Sequence, residues 1–160
     1  MSLLYQPLAS DLVRKIRAGG PDAHGQPAER GAISDGAGVP CRHCLRQVPA
    51  GAQYLILAHR PFPAPQPYAE TGPIFLCAAD CAAWPGAADA GLPPILTTSP
   101  DYLLKGYGAD HRIRYGTGKV VARDDLAAYA ERLLADPEIA FVDVRSARNT
   151  CFQCRIRRGG

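Results

Sequence analysis

Two segments of the chain repeat apolar residues with the period of an α-helix. Ser10–Arg17 carries one apolar face, has a serine at its start as the N-cap and ends in basic residues, which predicts a short helix. Residues 124–135 place apolar side chains at i, i+3, i+4, i+7 and i+8, with Asp124 as the cap and Pro137 as the stop. This second pattern predicts a longer amphipathic helix.

Shorter apolar runs in the rest of the chain predict β-strands. These runs are residues 54–58, 74–77, 139–144 and 152–156, and a hairpin is predicted from residues 111–115 and 119–122. In the last run, Phe152, Cys154 and Ile156 alternate with polar residues, so we expect these three to share the core face. The whole pattern predicts an α+β fold: a mainly antiparallel sheet with two or more helices and long Pro/Gly-rich loops.

Two segments follow neither period and are rich in turn-forming residues. Residues 19–40 contain six Gly and three Pro, which predicts a flexible loop. Residues 61–73 have prolines at positions 61, 63, 65 and 67, which predicts a Pro-rich surface loop. A chain of 160 residues has the length of one domain, so we expect residues 1–160 to form a single domain.

Composition and charge narrow the classes of function. The chain has 18 basic and 15 acidic residues, and its net charge of +3 gives weak support for a nucleic-acid partner. It has no apolar run of about 20 residues, as a membrane helix needs, and its first residues lack the basic and apolar stretches typical of a secretory signal peptide. We therefore expect a cytoplasmic protein that does not enter membranes. Disulfides are uncommon in that compartment, so metal binding is the better explanation for six cysteines.

Four of the six cysteines form two closely spaced pairs. They are Cys41 and Cys44, with two residues between them, and Cys77 and Cys81, with three residues between them. Four thiolates at these spacings can supply the closed tetrahedral site of a structural zinc ion, with His43 and His59 as substitutes if a cysteine points away. Two other interpretations stay open: reduced, partly buried thiols without metal, and a redox-active dithiol or disulfide.

The third pair, Cys151 and Cys154, has the spacing of the first pair but lies in a different context. On the predicted strand, residues three apart point to opposite faces of the sheet and cannot share an ion. We therefore interpret Cys154 as a thiol of the hydrophobic core.

Two further groups of polar residues are candidates for binding. His59, Arg60, Tyr68 and Glu70 flank or lie in the Pro-rich loop, where they predict a small-ligand site or acid–base chemistry, although surface-loop residues are polar by default. The arginines at 145, 148, 155, 157 and 158 suggest a basic face for nucleic acid, which the low net charge disfavours. The P-loop, G-x-S-x-G and H-E-x-x-H motifs do not occur in the sequence, so no reaction and no catalytic residue is assigned.

Three stretches carry a resemblance to a known family. They are Pro40-Cys41-Arg42, the run from Pro67-Tyr68 to Gly72-Pro73-Ile74-Phe75, and Val142-Asp143-Val144-Arg145 with Cys151 and Arg155. Through these stretches the chain resembles, over nearly its whole length, the bacterial family called domain of unknown function 1203. The resemblance implies a small bacterial, cytosolic domain without an assigned activity. It does not supply the metal, which is predicted from the cysteines of this chain alone.

The sequence therefore favours a zinc-stabilised domain that binds a small molecule or a protein partner on the surface of residues 59–70. One alternative is an enzyme with a reactive Cys41 or His59 in a cleft below residues 61–72. Another alternative is a nucleic-acid-binding module that uses the C-terminal arginines.

Overall fold

The computed structural model describes residues 1–86 and 90–160, and in these residues it contains two antiparallel sheets and two α-helices. The elements are β1 (Leu3–Gln6), α1 (Ser10–Arg17), β2 (Glu29–Ile33), β3 (Gln53–His59), β4 (Gly72–Cys77), β5 (Asp101–Tyr107), β6 (Lys119–Ala122), α2 (Leu126–Leu134), β7 (Phe141–Ser146) and β8 (Phe152–Arg158). The predicted α+β fold is confirmed. The single domain over residues 1–160 stays a prediction, and it includes residues 87–89, which lie outside the described part. No helix in the described part has the length and apolar character needed to cross a bilayer.

The larger sheet has the strand order β1-β8-β7-β5-β6 and buries one apolar face against α2. The buried residues of α2 recur every four positions, at Leu126, Ala130 and Leu134, as its amphipathic pattern predicts. Each large apolar side chain buried in this core contributes about 1.5–3 kcal/mol. Cys154 is one of the buried residues of this core, as predicted. The prediction that Asp124 is the N-cap of α2 is wrong. Asp125 is the N-cap and makes no side-chain hydrogen bond, because residues 123–125 already form a 3-10 turn.

The smaller sheet has the order β2-β3-β4 and shares a second core with α1. The buried face of α1 consists of Val13 and Ile16, which cluster with Leu55, Leu57, Ile74 and Leu76. The bounds of α1 agree with the prediction, but the serine at its start does not cap it. Ala9 is the N-cap, and the Ser10 hydroxyl instead lies 2.8 Å from Nε2 of His43.

Two predictions about strands are wrong. Residues 119–122 pair antiparallel with β5 rather than with residues 111–115, which make only an isolated bridge between Ile113 and Tyr107. The reason is the turn: the Thr117 hydroxyl accepts a hydrogen bond from Gly106 N–H at 2.9 Å and donates to Arg114 O at 2.6 Å, which folds the turn back onto β5. In addition, β2 lies within the segment predicted as a loop, where its exposed side chains give no apolar pattern.

A β-bulge between β7 and β8 overturns the predicted face of Phe152. Val144 pairs with Cys154, but Arg145 pairs with Phe152, so Gln153 is an extra residue on β8. Side chains of paired residues lie on the same face of a sheet, and Val144 and Arg145 point to opposite faces because they are consecutive. The side chain of Phe152 is therefore on the other face of the sheet from that of Cys154. It belongs to the core of the smaller sheet. The bulge thus directs Arg145 and Phe152 away from α2.

Candidate metal centre and ligand cavity

Four cysteine sulfurs converge at one end of the smaller sheet. The Sγ atoms of Cys41, Cys44, Cys77 and Cys81 all lie within 4.8 Å of one another. The distance from Cys41 Sγ to Cys81 Sγ is 3.9 Å. Two sulfurs on one tetrahedral ion, each bonded at about 2.3 Å, lie about 3.8 Å apart. The cluster therefore has the composition and the size of a tetrahedral four-thiolate metal site.

The first pair is held by a tight turn that precedes β3. Cys41 N–H donates to Arg46 O at 2.9 Å, and Leu45 N–H donates to Cys41 O at 3.0 Å. Leu45 has a φ of 55°, a conformation that is unfavourable for a side chain of this kind. Its side chain is fully buried in the core of the larger sheet, which offsets that cost. The turn places two thiols on the same side of the chain.

The second pair comes from the end of β4 and the segment that follows it. Cys77 is the last residue of β4, and its N–H lies 3.3 Å from Cys41 Sγ, to which it donates. Cys81 is half-buried and is contacted by two side chains: Arg17 Nη2 donates to its sulfur at 3.1 Å, and His43 Nδ1 lies 3.2 Å from it. Nε2 of His43 lies beside the Ser10 hydroxyl, which can donate to it, and in that tautomer the Nδ1 proton is directed at the sulfur.

Hydrogen bonds among the thiols dominate their ionisation. Bonds from the neighbouring Cys44 and Cys77 lower the pKa of Cys41 far below its usual range. The same contacts with Cys41 raise the pKa of Cys44 and Cys77. The protein alone therefore favours one thiolate beside protonated neighbours, since like charges at this distance repel. Four thiolates together require a cation, and metal ligation would release the remaining protons.

Neither of the two histidines predicted as substitute ligands, His43 and His59, takes the place of a cysteine in the cluster. Burial lowers the pKa of His43, which keeps the ring neutral as a hydrogen-bond partner of Cys81 rather than a fourth ligand. His59 is the last residue of β3 and packs against Phe152, with ring centroids 5.8 Å apart.

An open cleft of about 680 Å³ borders the cysteine cluster and is lined by Cys44, Cys77 and Cys81. A chelator can thus approach the cluster from this side.

A second polar region lies beneath the loop between β3 and β4. It is a cavity of about 340 Å³ whose lining includes His59, Glu70, Arg145, Cys151 and Phe152. Two of the four residues predicted to bind a ligand, His59 and Glu70, therefore meet in one cavity. The other two do not line it. Arg60 Nε donates to Phe62 O at 3.1 Å, and the Tyr68 hydroxyl lies 2.8 Å from that of Tyr115.

Positive charge predominates around this cavity. The Glu70 carboxylate joins Lys105 Nζ at 2.9 Å and Arg145 Nη1 at 3.1 Å. Burial, and to a smaller extent four arginines in its surroundings, lower the pKa of His59 to about 4. The ring is therefore neutral near pH 7, because a proton there would add to a field that is already positive.

Three of the five C-terminal arginines are engaged by other groups of the fold rather than presented on a shared basic face. Arg155 binds both oxygens of the buried Asp143, at 2.7 and 3.0 Å, and Arg158 donates to carbonyls at the end of α2. Arg145 lies in the cavity. The roles of Arg17, Lys105 and Arg145 could not be predicted, because a single basic residue has no sequence spacing that indicates what it contacts.

Comparisons with known proteins agree with the resemblance found in the sequence. A family model described as "Protein of unknown function (DUF1203)" matches residues 38–158, a range that includes all four clustered cysteines and the whole cavity lining. No curated protein and no solved structure matches the chain significantly.

Proposed function

We propose that this chain, which belongs to the family of proteins of unknown function DUF1203, is a zinc-stabilised domain that binds a small molecule or a protein partner. The observation that supports the metal is the convergence of four sulfurs within 4.8 Å from two segments far apart in the chain. No reaction is assigned to it. The family description assigns none either.

The donor set favours zinc. Soft thiolates in a tetrahedral S₄ arrangement select zinc or iron, and zinc needs no redox partner. Ligation by four thiolates gives a net charge of −2 at the site, and Arg17 donates to one of the sulfurs. Thiolates persist in a reducing compartment, so the proposal includes a cytoplasmic location in a bacterial cell.

The proposed role of the ion is structural. All four positions of a tetrahedral ion are filled by protein sulfurs, which leaves no open position for a substrate. The ion would join the turn before β3 to the end of β4 and thereby close a long loop. Such a link restricts the unfolded chain and stabilises a core of modest size.

The proposed binding region is the cavity that His59 and Glu70 line. A volume of about 340 Å³ lies at the lower end of the range typical of small-molecule sites. The enzyme alternative receives less support, because Cys41 is fully buried in the thiol cluster and only His59 lies below the loop.

Metal analysis tests the zinc centre. Protein purified without added zinc should carry about one zinc ion per chain. Cys77→Ser should lose the ion, and Cys151→Ser should keep it, because Cys151 lies outside the cluster. If Cys77→Ser does not fold, cobalt substitution of the wild-type protein gives the same information through thiolate charge-transfer and tetrahedral absorption bands. Zinc below about a tenth of an ion per chain, or a cobalt spectrum without thiolate bands, would overturn the proposal.

A further inference from the structure

Arg145 carries two hydrogen-bond donors that the protein does not use. Its side chain lines the cavity and is only 5% exposed. Nη1 contacts Glu70 Oε2 at 3.1 Å and donates to Thr150 O at 2.9 Å. Nε and Nη2 form no well-aligned hydrogen bond with the described residues, and the Tyr107 hydroxyl, which lies near Arg145, is likewise left without one. Buried donors on a charged group are costly when they stay unpaired, so their position indicates a ligand.

The geometry of the two unused donors specifies the ligand chemistry. In a guanidinium group, Nε–H and one N–H of Nη2 point in the same direction and are spaced to meet the two oxygens of one carboxylate. Nη1, on the other side of the group, is already occupied by Glu70 and Thr150. Arg145 is therefore fixed with its bidentate edge unoccupied by the protein.

The charges around the cavity favour an anion over a cation. Lys105 and Arg145 outnumber the one carboxylate that joins them, Glu70. The nearby carboxylate of Asp143 is already neutralised by Arg155. Burial is the largest cause of the depressed pKa of His59, and the charged groups that lower it further are all arginines. Pro61, Pro73 and Phe152 add an apolar wall for the body of a ligand.

The fold holds Arg145 in place through two local irregularities. The bulge that adds Gln153 to β8 pairs Arg145 with Phe152 on the cavity side of the sheet. Thr150, in the turn that follows β7, has a φ of 58°, which is unfavourable for a β-branched residue. Its carbonyl accepts from Arg145 Nη1. Bulges and strained turns of this kind often fix functional side chains.

We propose that this cavity binds a small organic carboxylate whose two oxygens accept hydrogen bonds from Nε and Nη2 of Arg145. The inference rests on the binding part of the proposed function and names its ligand class. It does not depend on the zinc centre, which lies at the other end of β3 and β4.

Propionate and its neutral isostere propionamide are suitable probes. In ¹⁵N-labelled wild-type protein at pH 7 and low chloride, propionate should shift the amide resonances of residues 70–72 and 145–152, and propionamide should not. Arg145→Lys keeps the charge but loses the parallel donors, and should weaken propionate binding at least about tenfold. Arg148→Lys is the matched control, because Arg148 is exposed. This variant should bind propionate as the wild type does.

Glu70→Gln provides a test that does not depend on the folding of the Arg145 variant. It removes the carboxylate that competes for Arg145, so propionate should bind at least about threefold more tightly. Weaker or unchanged binding in this variant would overturn the inference. So would equal binding of propionamide, tighter binding of inorganic phosphate, or shifts that lie outside the cavity.

Zinc content measured on the same samples separates the two proposals. Protein that lacks zinc but binds propionate through Arg145 would overturn the zinc centre alone. Protein that contains zinc but does not respond to propionate would overturn the carboxylate site alone.

Discussion

The thiol cluster and the cavity around Arg145 are opposite cases of buried polar chemistry in one small fold. The cluster gathers four sulfurs that can all become anionic, within 4.8 Å of one another. The cavity contains a buried guanidinium group with two donors that the protein leaves unpaired. The first region is suited to a cation, because four thiolates can form together only around one, and the second is suited to an anion, because its cationic groups outnumber its carboxylate.

The two regions also differ in how the chain builds them. The cluster is made from two local pairs, each with a spacing that suits a turn, so only one long-range meeting is needed. The cavity is lined by single residues that lie far apart in the sequence: His59 on β3, Glu70 in a loop and Arg145 on β7. Lys105, on β5, contributes through its ion pair with Glu70. A site built from pairs is visible in a sequence, whereas a site built from single residues depends on strand register.

If the cluster and the cavity are independent, a variant near the cavity should lose stability without losing zinc. The largest loss of unfolding free energy is expected for Asp143→Asn. Asp143 is fully buried and binds Arg155 through both oxygens, at 2.7 and 3.0 Å. Arg155 would lose its counter-ion in the interior, which costs about 3–5 kcal/mol of unfolding free energy. Urea unfolding measures this loss, and metal analysis should show unchanged zinc.

Asp110→Asn is the control for that variant. Asp110 is an exposed carboxylate paired with Arg114 at 3.0 Å, so its loss should leave the unfolding free energy nearly unchanged. Similar losses for both variants would contradict the assigned role of the buried pair. Release of zinc from folded Asp143→Asn would show that the two regions are coupled.

A change of pH should have an intermediate effect on the unfolding free energy through His59, which lines the cavity. The folded pKa of His59 is about 4, because of burial and of the arginines at positions 155, 42, 145 and 60, against about 6.5 in the unfolded chain. Below pH 6.5 the unfolded state gains a proton that the folded state does not take up. The contribution of His59 to stability is therefore complete above pH 6.5 and decreases as the pH falls toward 4, by about 2 kcal/mol between pH 7 and 5.

His59→Gln should remove this part of the pH dependence. Unfolding free energies of both proteins, measured at pH 7 and pH 5 with zinc content monitored, give the difference. Proton uptake by the thiols is common to both proteins and cancels in the comparison. Equal pH dependence in the two proteins would mean that burial and the nearby arginines together do not depress the pKa of His59.

The sequence was sufficient where local patterns decide the structure. The bounds of α1, the apolar face of α2 and the strands at residues 54–58, 74–77 and 152–156 all follow from side-chain periodicity over a few residues. The cysteine cluster follows from spacing and from the chemistry of thiolates. In each case neighbours in the sequence already contain the information.

The sequence was insufficient where a single long-range contact decides the structure. The partner of β6 depends on hydrogen bonds of the Thr117 hydroxyl, and the face of Phe152 depends on one extra residue at Gln153. From the sequence, Arg145 was consequently expected on a basic face of the protein rather than in a cavity. A one-residue bulge reverses every side chain beyond it, so periodicity alone assigns the wrong face.

The smallest predicted effect concerns the positive charge next to the thiol cluster. Arg17 lies at the end of α1, where Nε donates to Cys77 O at 3.1 Å and Nη2 donates to Cys81 Sγ at 3.1 Å. Arg17→Met should weaken zinc binding about tenfold, or about 1.4 kcal/mol, because a group that orients a ligand and offsets its charge is lost. Competition with a chromophoric chelator measures the affinity.

Arg14→Met is the matched control, since Arg14 lies one turn earlier on the same helix, is exposed and pairs with Asp11. It should bind zinc as the wild type does. If Arg17→Met and Arg14→Met have equal affinities, the four thiolates and the ion are electrostatically sufficient by themselves. The cluster would then differ from the cavity in a second respect, because the cavity depends on charges supplied by several separate strands and loops.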